Sequence, residues 1–260
     1  MVWAWKDADH GRLPAGSLVM AAGREGTGKS SFGIWLAAQI TRGLLRGSYF
    51  GTPWRCLYVA TEDSWEYTLV PRLMAAGADL RLVGRFDVVS DTDEELTLSL
   101  PHDNVLLEAE IVRHAVALVV VDPLMSAITE TIDTHRERDV RLALDPLAKL
   151  ADRTGSIVLG IAHFNKSGST DAAALITGSG AFKNVPRAIL GFARDTSADV
   201  RVMTQVKNSL GRDDLPSLTY AIRNVRVPID EGMFTEVGAF AFTGESERSV
   251  ADVLRDARGE

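Results

Sequence analysis

Cysteine is almost absent from this chain: Cys56 is the only one among 260 residues. A lone thiol excludes an intrachain disulfide and fits a reducing compartment. Histidine is scarce as well, and the five present, with Cys56, fall into no metal-ligand spacing. The longest apolar run, Ala115–Val121, has seven residues, far too few to cross a bilayer, so no membrane partner is expected. Basic charge is in deficit, with 28 Lys and Arg against 35 Asp and Glu and a net charge of −7. That excludes a protein basic throughout, although a local basic channel would still serve nucleic acid. The opening "MVWAWKDADHGRLPAG" lacks the basic-then-apolar layout of a signal peptide, and a cytoplasmic chain is expected.

What is present is ordinary globular material, 46% hydrophobic and 24% charged, long enough for one α/β domain. Strand-like runs at Ser17–Ala22, Cys56–Thr61, Ala117–Val121 and Ile157–Ala162, with a weaker one at Phe86–Val89, alternate with helical patterns. The helices are expected over Ser30–Thr41, Trp65–Ala76, Asn104–His114 and Asp139–Arg153. In the last, Val140, Leu144, Leu147 and Ala151 share a face while Arg141, Asp145 and Lys149 line up as i,i+4 charges outside. Such alternation predicts a mainly parallel central sheet flanked by helices. Ala188–Phe192, Val200–Val206, Leu218–Ile222 and Phe234–Phe242 read as strands joined by short turns, extending the sheet in antiparallel fashion. One domain is expected over 1–245, followed by a short charged helix or tail over 246–260.

"AAGREGTGKSS" fits the pattern G-x-x-x-x-G-K-[ST], between an apolar strand and an amphipathic helix. Its glycines let backbone N–H groups wrap phosphates, Lys29 reaches the β- and γ-phosphates, and Ser30 ligates Mg²⁺. The expected cradle for ATP with Mg²⁺ comprises Gly23, Glu25, Gly26, Thr27, Gly28, Lys29, Ser30 and Ser31. In "ALVVVDPLMS", Asp122 follows a β-branched run, where it belongs at the carboxyl edge of a central strand beside the phosphate loop. There it can hold Mg²⁺ through a water; otherwise it is a strand-ending Asp-Pro turn. "RCLYVATEDSWE" places acids at another strand end. A strand adjacent to the phosphate-loop strand would bring Glu62 to the γ-phosphate, to orient and deprotonate water. Asp63 and Ser64 are read as caps for the helix beginning at Trp65.

These segments, with "DVRLALDPLAKLADRTG", "IAHFNKS", "GSGAFKNVPRAIL" and "VKNSLG", resemble the RecA-like ATPases, and within them the hexameric helicase branch related to plasmid RepA helicases. The resemblance runs in family order from about residue 12 to about 225. It implies a RecA-like P-loop NTPase core and a ring-forming motor on single-stranded DNA. His163 would be the strand-end sensor of the γ-phosphate, although a strand-end histidine can be merely structural. Arg187 would enter a neighbour's ATP site in trans, its alternative being a plain surface arginine, with Lys207 as a second trans cation. Relatives carry a further arginine where Ser209 stands, and Arg212 is the nearest substitute. DNA would be held by one loop with His135, Arg136 and Arg138 and by a second with Lys166, while "HRERD" reads equally as a solvated helix start. The second loop is poor in charge and has no aromatic between Lys166 and Gly180. The competing function is a recombinase-like or loader ATPase in which ATP only switches DNA or partner binding. Trp35 reads as core, Arg72 as half of an ion pair, and Trp3, Trp5 and Trp54 as candidates for a subunit interface.

Overall fold

The computed structural model describes residues 2–89, 95–165, 175–176, 178–196, 198–229 and 232–257. The chain opens on a hairpin of β1 (Trp3–Asp7) and β2 (His10–Pro14) that the sequence reading did not anticipate. Trp5 is buried in the domain's own core rather than offered to a neighbour. Its ring lies 5.6 Å from Trp35 and 5.5 Å from Phe242. Trp54 is half-buried, with its ring 5.8 Å from Tyr49.

β3 (Ser17–Gly23), β4 (Arg55–Ala60) and β5 (Val83–Arg85) enter the main sheet, whereas β6 (Val88–Val89) and β7 (Glu95–Leu96) form a separate ribbon. β8 (Val116–Asp122), β9 (Ile157–His163), β10 (Ala188–Asp195), β11 (Val200–Asn208), β12 (Ser217–Pro228) and β13 (Phe234–Ser246) complete it. The nine-stranded order is β13-β12-β11-β10-β3-β9-β8-β4-β5. Pairing is parallel from β10 through β5 and antiparallel from β10 to β13. Both faces of the parallel strands are covered, which is why β3 and β9 are apolar almost throughout. Alternation still sorts the side chains: Val119 and Val121 of β8 face one core layer, Leu118 and Val120 the other.

One layer is built by α3 (Asn104–His114), α4 (Glu137–Thr154) and α6 (Val250–Asp256), the other by α1 (Lys29–Thr41), α2 (Val70–Ala75) and the first hairpin. In α4 the expected face, Val140, Leu144, Leu147 and Ala151, is buried, and Arg141 pairs outside with Asp145 at 3.3 Å and Glu137 at 3.5 Å. Beyond residue 245, α6 buries Val250, Val253 and Leu254 in the first core layer, and its Ser249 and Asp252 form a capping box. Arg248 ties it down through Asp195 and Asp256.

Of the weak strand expected at Phe86–Val89, only Val88–Val89 is a strand, and it lies outside the main sheet. The sheet edge is Val83–Arg85, and Phe86 leaves it with a last N–H bond to the Tyr58 carbonyl at 3.0 Å. Phe86 is buried at the exit, so its hydrophobicity marks the core rather than the strand. Helix initiation after Ser64 also differs in detail. Ser64 alone caps, accepting from the Tyr67 N–H at 3.3 Å, while Asp63 pairs with Arg72 at 3.5 Å. Trp65–Leu69 is wound as a π-helix before α2 takes over, with Pro71, which has no N–H to donate, in its first turn.

Candidate functional site

In a parallel sheet, ligands gather at the carboxyl ends of the strands. Here that edge carries Gly23 at the end of β3, Asp122 at the end of β8, His163 at the end of β9 and Glu62 just past β4. Asp122 lies at the carboxyl edge of a central strand beside the phosphate loop, as expected. The strand order corrects the expectation that the Glu62 strand adjoins the phosphate-loop strand. β9 stands between the phosphate-loop strand and the Asp122 strand, and both β9 and β8 stand between it and the Glu62 strand. Sequence neighbours are not sheet neighbours because each parallel crossover can return at any free position along the sheet. Glu62 is instead coupled to Asp122: Ala60 lies opposite Asp122, and the Thr61 N–H donates to the Asp122 carbonyl at 3.2 Å. Ser126, on the turn after β8, donates its hydroxyl to Glu62 Oε1 at 3.4 Å. His163 lies opposite Gly23, and the Phe164 N–H donates to the Gly23 carbonyl at 3.0 Å.

The loop between β3 and α1 needs its glycines. A Cβ on Gly23 would meet the Phe192 carbonyl oxygen at 2.4 Å, and Gly28, which starts α1, has φ +95°, a conformation hostile to side chains. Gly26 and Glu25 are exposed at the crown, Thr27 is buried below it, and Ser30 and Ser31 are half-buried in the first turn of the helix. Thr27 Oγ1 and Lys29 Nζ both donate to the Arg24 carbonyl at 2.8 Å, so the loop closes on itself.

Lys29 and Asp122 perturb each other, and Lys29 also acts on His163. Burial lowers the Lys29 ammonium to about 8, with Asp122 and Glu25 acting in the opposite sense. Burial lifts the Asp122 carboxyl to about 6; the Ser30 hydroxyl works against that rise, Asp63 adds to it, and the charges of Lys29 and Glu62 oppose each other. His163 is lowered, first by burial and then by Lys29, while Glu62 and Glu25 pull it upward. Charges held close in a poorly solvated site are the mark of chemistry rather than of packing.

Asp122 Oδ2 is buried with no hydrogen-bond partner, and so is the Thr61 hydroxyl beside it. A protein rarely leaves a carboxylate oxygen so unless something else fills its coordination. Among the described residues there is no cluster of three or more His, Cys, Asp or Glu that could cage a metal. Ser30 and Asp122 therefore suit a hard cation that draws most of its ligands from water and phosphate, as Mg²⁺ does. The residues present fit ATP with Mg²⁺.

The remaining sequence candidates lie elsewhere. Arg187 is exposed at the start of β10, where its N–H bonds to the Leu18 carbonyl at 2.9 Å, at the opposite edge of the sheet from Gly23. Among the described residues its guanidinium has no ion pair. Lys207 stands beside it, but its ammonium donates to the carbonyls of Lys183, Asn184 and Pro186 at 2.8, 3.0 and 2.7 Å. All three donors of an ammonium are thereby used within the chain, whereas the expected role of Lys207 as a second trans cation concerns a neighbouring subunit. Arg212 pairs with Asp214 at 2.8 Å. Arg136 and Arg138 stand exposed at the start of α4, the former 3.6 Å from Asp133. That segment meets the neighbourhood of α5 (Ala181–Asn184): the Ser179 N–H donates to the Thr134 carbonyl, and Asn184 to Glu137, both at 2.9 Å. Lys166 falls outside the described residues. Sequence reasoning gave no role to Thr61, read only as part of a strand end, or to Ser126, and the pairing of β4 with β8 brings them to the carboxylates.

The fold and this edge define a P-loop nucleotide-hydrolysing domain with a large, mostly parallel sheet. A family model described as "AAA domain" matches residues 4–169, more than half of the chain, and the chain belongs to that family of ATPases. No curated protein matches it. Among the described residues no helix is long and apolar enough to cross a membrane.

Proposed function

We propose that the chain is a RecA-like ATPase of the hexameric helicase branch related to plasmid RepA helicases, a homo-oligomeric ring that hydrolyses ATP at subunit interfaces and moves along single-stranded DNA. The observation that carries this reading is the division of charges between the two sheet edges. Lys29, Ser30, Asp122, Glu62 and His163 converge at one, while Arg187 stands unpaired among the described residues at the other. A subunit with that layout has most of a phosphoryl-transfer site and lends its cation to the next subunit. The strand order supports the RecA-like assignment, with one strand between β3 and the Asp122 strand and Glu62 one strand further.

The chemistry follows from the positions. N–H groups of the loop from Gly23 to Ser31 and the Lys29 ammonium bind phosphate oxygens. Ser30 and, through water, Asp122 would hold Mg²⁺, which would supply charge to offset that of the phosphates. Glu62, steadied by Ser126, takes the proton of the attacking water, and Arg187 from a neighbour stabilises the charge that builds. His163, between the cradle and the segment after β9, relays the state of the site. Arg136 and Arg138, with Lys166, contact the DNA backbone. Hydrogen bonds join Thr134 and Glu137 to Ser179 and Asn184, tying the segment that carries Arg136 and Arg138 to the neighbourhood of α5.

One observation favours the second reading, a loader or recombinase-like switch. Asp133 and Glu137 flank the candidate arginines and dilute their positive field. Steady-state phosphate release with and without single-stranded DNA separates the two, with Glu62→Gln as the blank. The motor predicts strong DNA stimulation that Glu62→Gln abolishes, a loss of about 10²–10⁴ in turnover with nucleotide binding retained. A rate indifferent to DNA assigns the chain to the switch.

A further inference from the structure

The long β12–β13 hairpin runs past the end of β11 and lies against the phosphate loop. Tyr220, on β12, is buried, and its hydroxyl donates to the Thr27 carbonyl at 2.5 Å. Its ring is fixed by stacking on Phe240, with centroids 4.6 Å apart and planes at 20°, and by the edge of Phe192 at 5.7 Å. The neighbouring Ile222 packs against Gly28, whose added Cβ would meet Ile222 Cδ1 at 3.1 Å. We propose that Tyr220 is a positioning residue for the phosphate cradle, setting the orientation of the Thr27–Gly28 peptide so that the Gly28 N–H faces the anion.

The physical basis is the rigidity of the peptide plane. The Thr27–Gly28 bond is trans, so its C=O and N–H point in opposite directions. A hydroxyl holding the carbonyl toward β12 therefore sends the Gly28 N–H away from the hairpin, to the side where successive N–H groups can gather on a phosphate. A glycine can turn that plane over easily, and Gly28, at φ +95°, is capped by no side chain. The phenol is a dependable donor because burial pushes its ionisation far above the ordinary range. The hairpin is thus coupled to the nucleotide, and a pull on the antiparallel end of the sheet reaches the phosphates through one hydrogen bond.

The proposal rests on residues 23–31 being the phosphate cradle, and the experiment separates the two. Tyr220→Phe keeps the ring and its stacking and removes only the hydroxyl. The measurements are MgADP affinity by titration, KM and kcat for ATP, and the thermal midpoint without nucleotide. The expected result is a rise of about tenfold in the MgADP Kd and in KM, equivalent to about 1.4 kcal/mol, with kcat changed less than about threefold. A Kd and KM within about twofold of the parent, with only the midpoint lowered, would show a packing tyrosine and overturn the proposal. Phe240→Leu, which loosens the ring and keeps the hydroxyl, serves if Tyr220→Phe does not fold; it is expected to raise the Kd about threefold, and no rise counts against the proposal. Lys29→Ala tests the cradle itself: unchanged MgADP binding there would overturn the cradle, whereas its loss beside a normal Tyr220→Phe would remove only the role of Tyr220.

Discussion

The two ends of the parallel strands carry similar residue types and treat them in opposite ways. At the carboxyl end Lys29 is buried and Asp122 nearly so, with ionisation displaced on both and one carboxylate oxygen lacking a partner. At the amino end Arg187 is exposed, Lys207 is saturated by three carbonyls, and Arg141 of α4 is paired with Glu137 and Asp145 on a solvated face. Cations and acids at the first edge are held in an arrangement that costs stability and is ready for a ligand. At the second, Arg141 and Lys207 are engaged by partners within the chain, whereas Arg187 has no ion pair among the described residues. A charged residue's chemistry is thus set less by its type than by what the fold denies it: solvent and partners.

The sharpest way to break this comparison is at Arg187. If the amino end serves only a neighbour, Arg187→Ala keeps MgADP binding in its own cradle and loses about 10³-fold or more in turnover. Mixing it with Glu62→Gln protein restores part of the hydrolysis, because mixed interfaces pair an intact Arg187 with an intact Glu62. Unchanged turnover in Arg187→Ala would leave the two edges unrelated.

A smaller effect probes the strain at the other edge. The folded Asp122 value, about 6, lies above the ordinary 3.8, so this group favours the fold below the lower value. That contribution is lost as pH rises through about 6, and ionised Asp122 then destabilises the fold. Asp122→Asn is accordingly expected to stabilise the nucleotide-free protein near neutral pH by on the order of 2 kcal/mol while hydrolysis disappears. The gain should vanish below about pH 4, where the parent carboxyl is neutral in both states. Denaturant midpoints across that range check the sign, and a destabilised Asp122→Asn at neutral pH would contradict it.

The smallest effect sharpens the contrast between Arg187 and its neighbour. Lys207→Met removes the donor from three carbonyls and is expected to lower stability by about 1–2 kcal/mol, with turnover per folded molecule unchanged within about twofold. Equal losses of turnover in Lys207→Met and Arg187→Ala would show that the ammonium reaches across the interface after all.

Much of the site was legible because its requirements are local. A loop that wraps phosphate needs glycines at fixed intervals and a lysine beside a serine, so residues 23–31 announce themselves in the sequence. α4 and α3 were legible for a similar reason, since the 3.6-residue period writes a buried face directly into the chain. The first hairpin was not, because "WAWKDADHGRLP" shows no clean alternation and its burial comes from Phe32, Trp35 and Phe242. Lys207 looked like Arg187 in sequence, both being cations near strand ends. Only the fold of the α5–β10 turn beneath it shows where its protons go.

The sequence by itself determined most of the core strands and helices, the alternating α/β order, the phosphate loop and the identity of the acids at the strand ends. Each of these follows from interactions within a few residues, which composition and spacing encode. The tertiary structure alone decided that β9 separates the phosphate-loop strand from the Asp122 strand, that Glu62 answers to Ser126, and that Tyr220 holds the Thr27 carbonyl from 193 residues away. Strand order depends on where each crossover finds an open edge, and burial depends on the sum of all neighbours. Neither quantity is carried by any single stretch of chain.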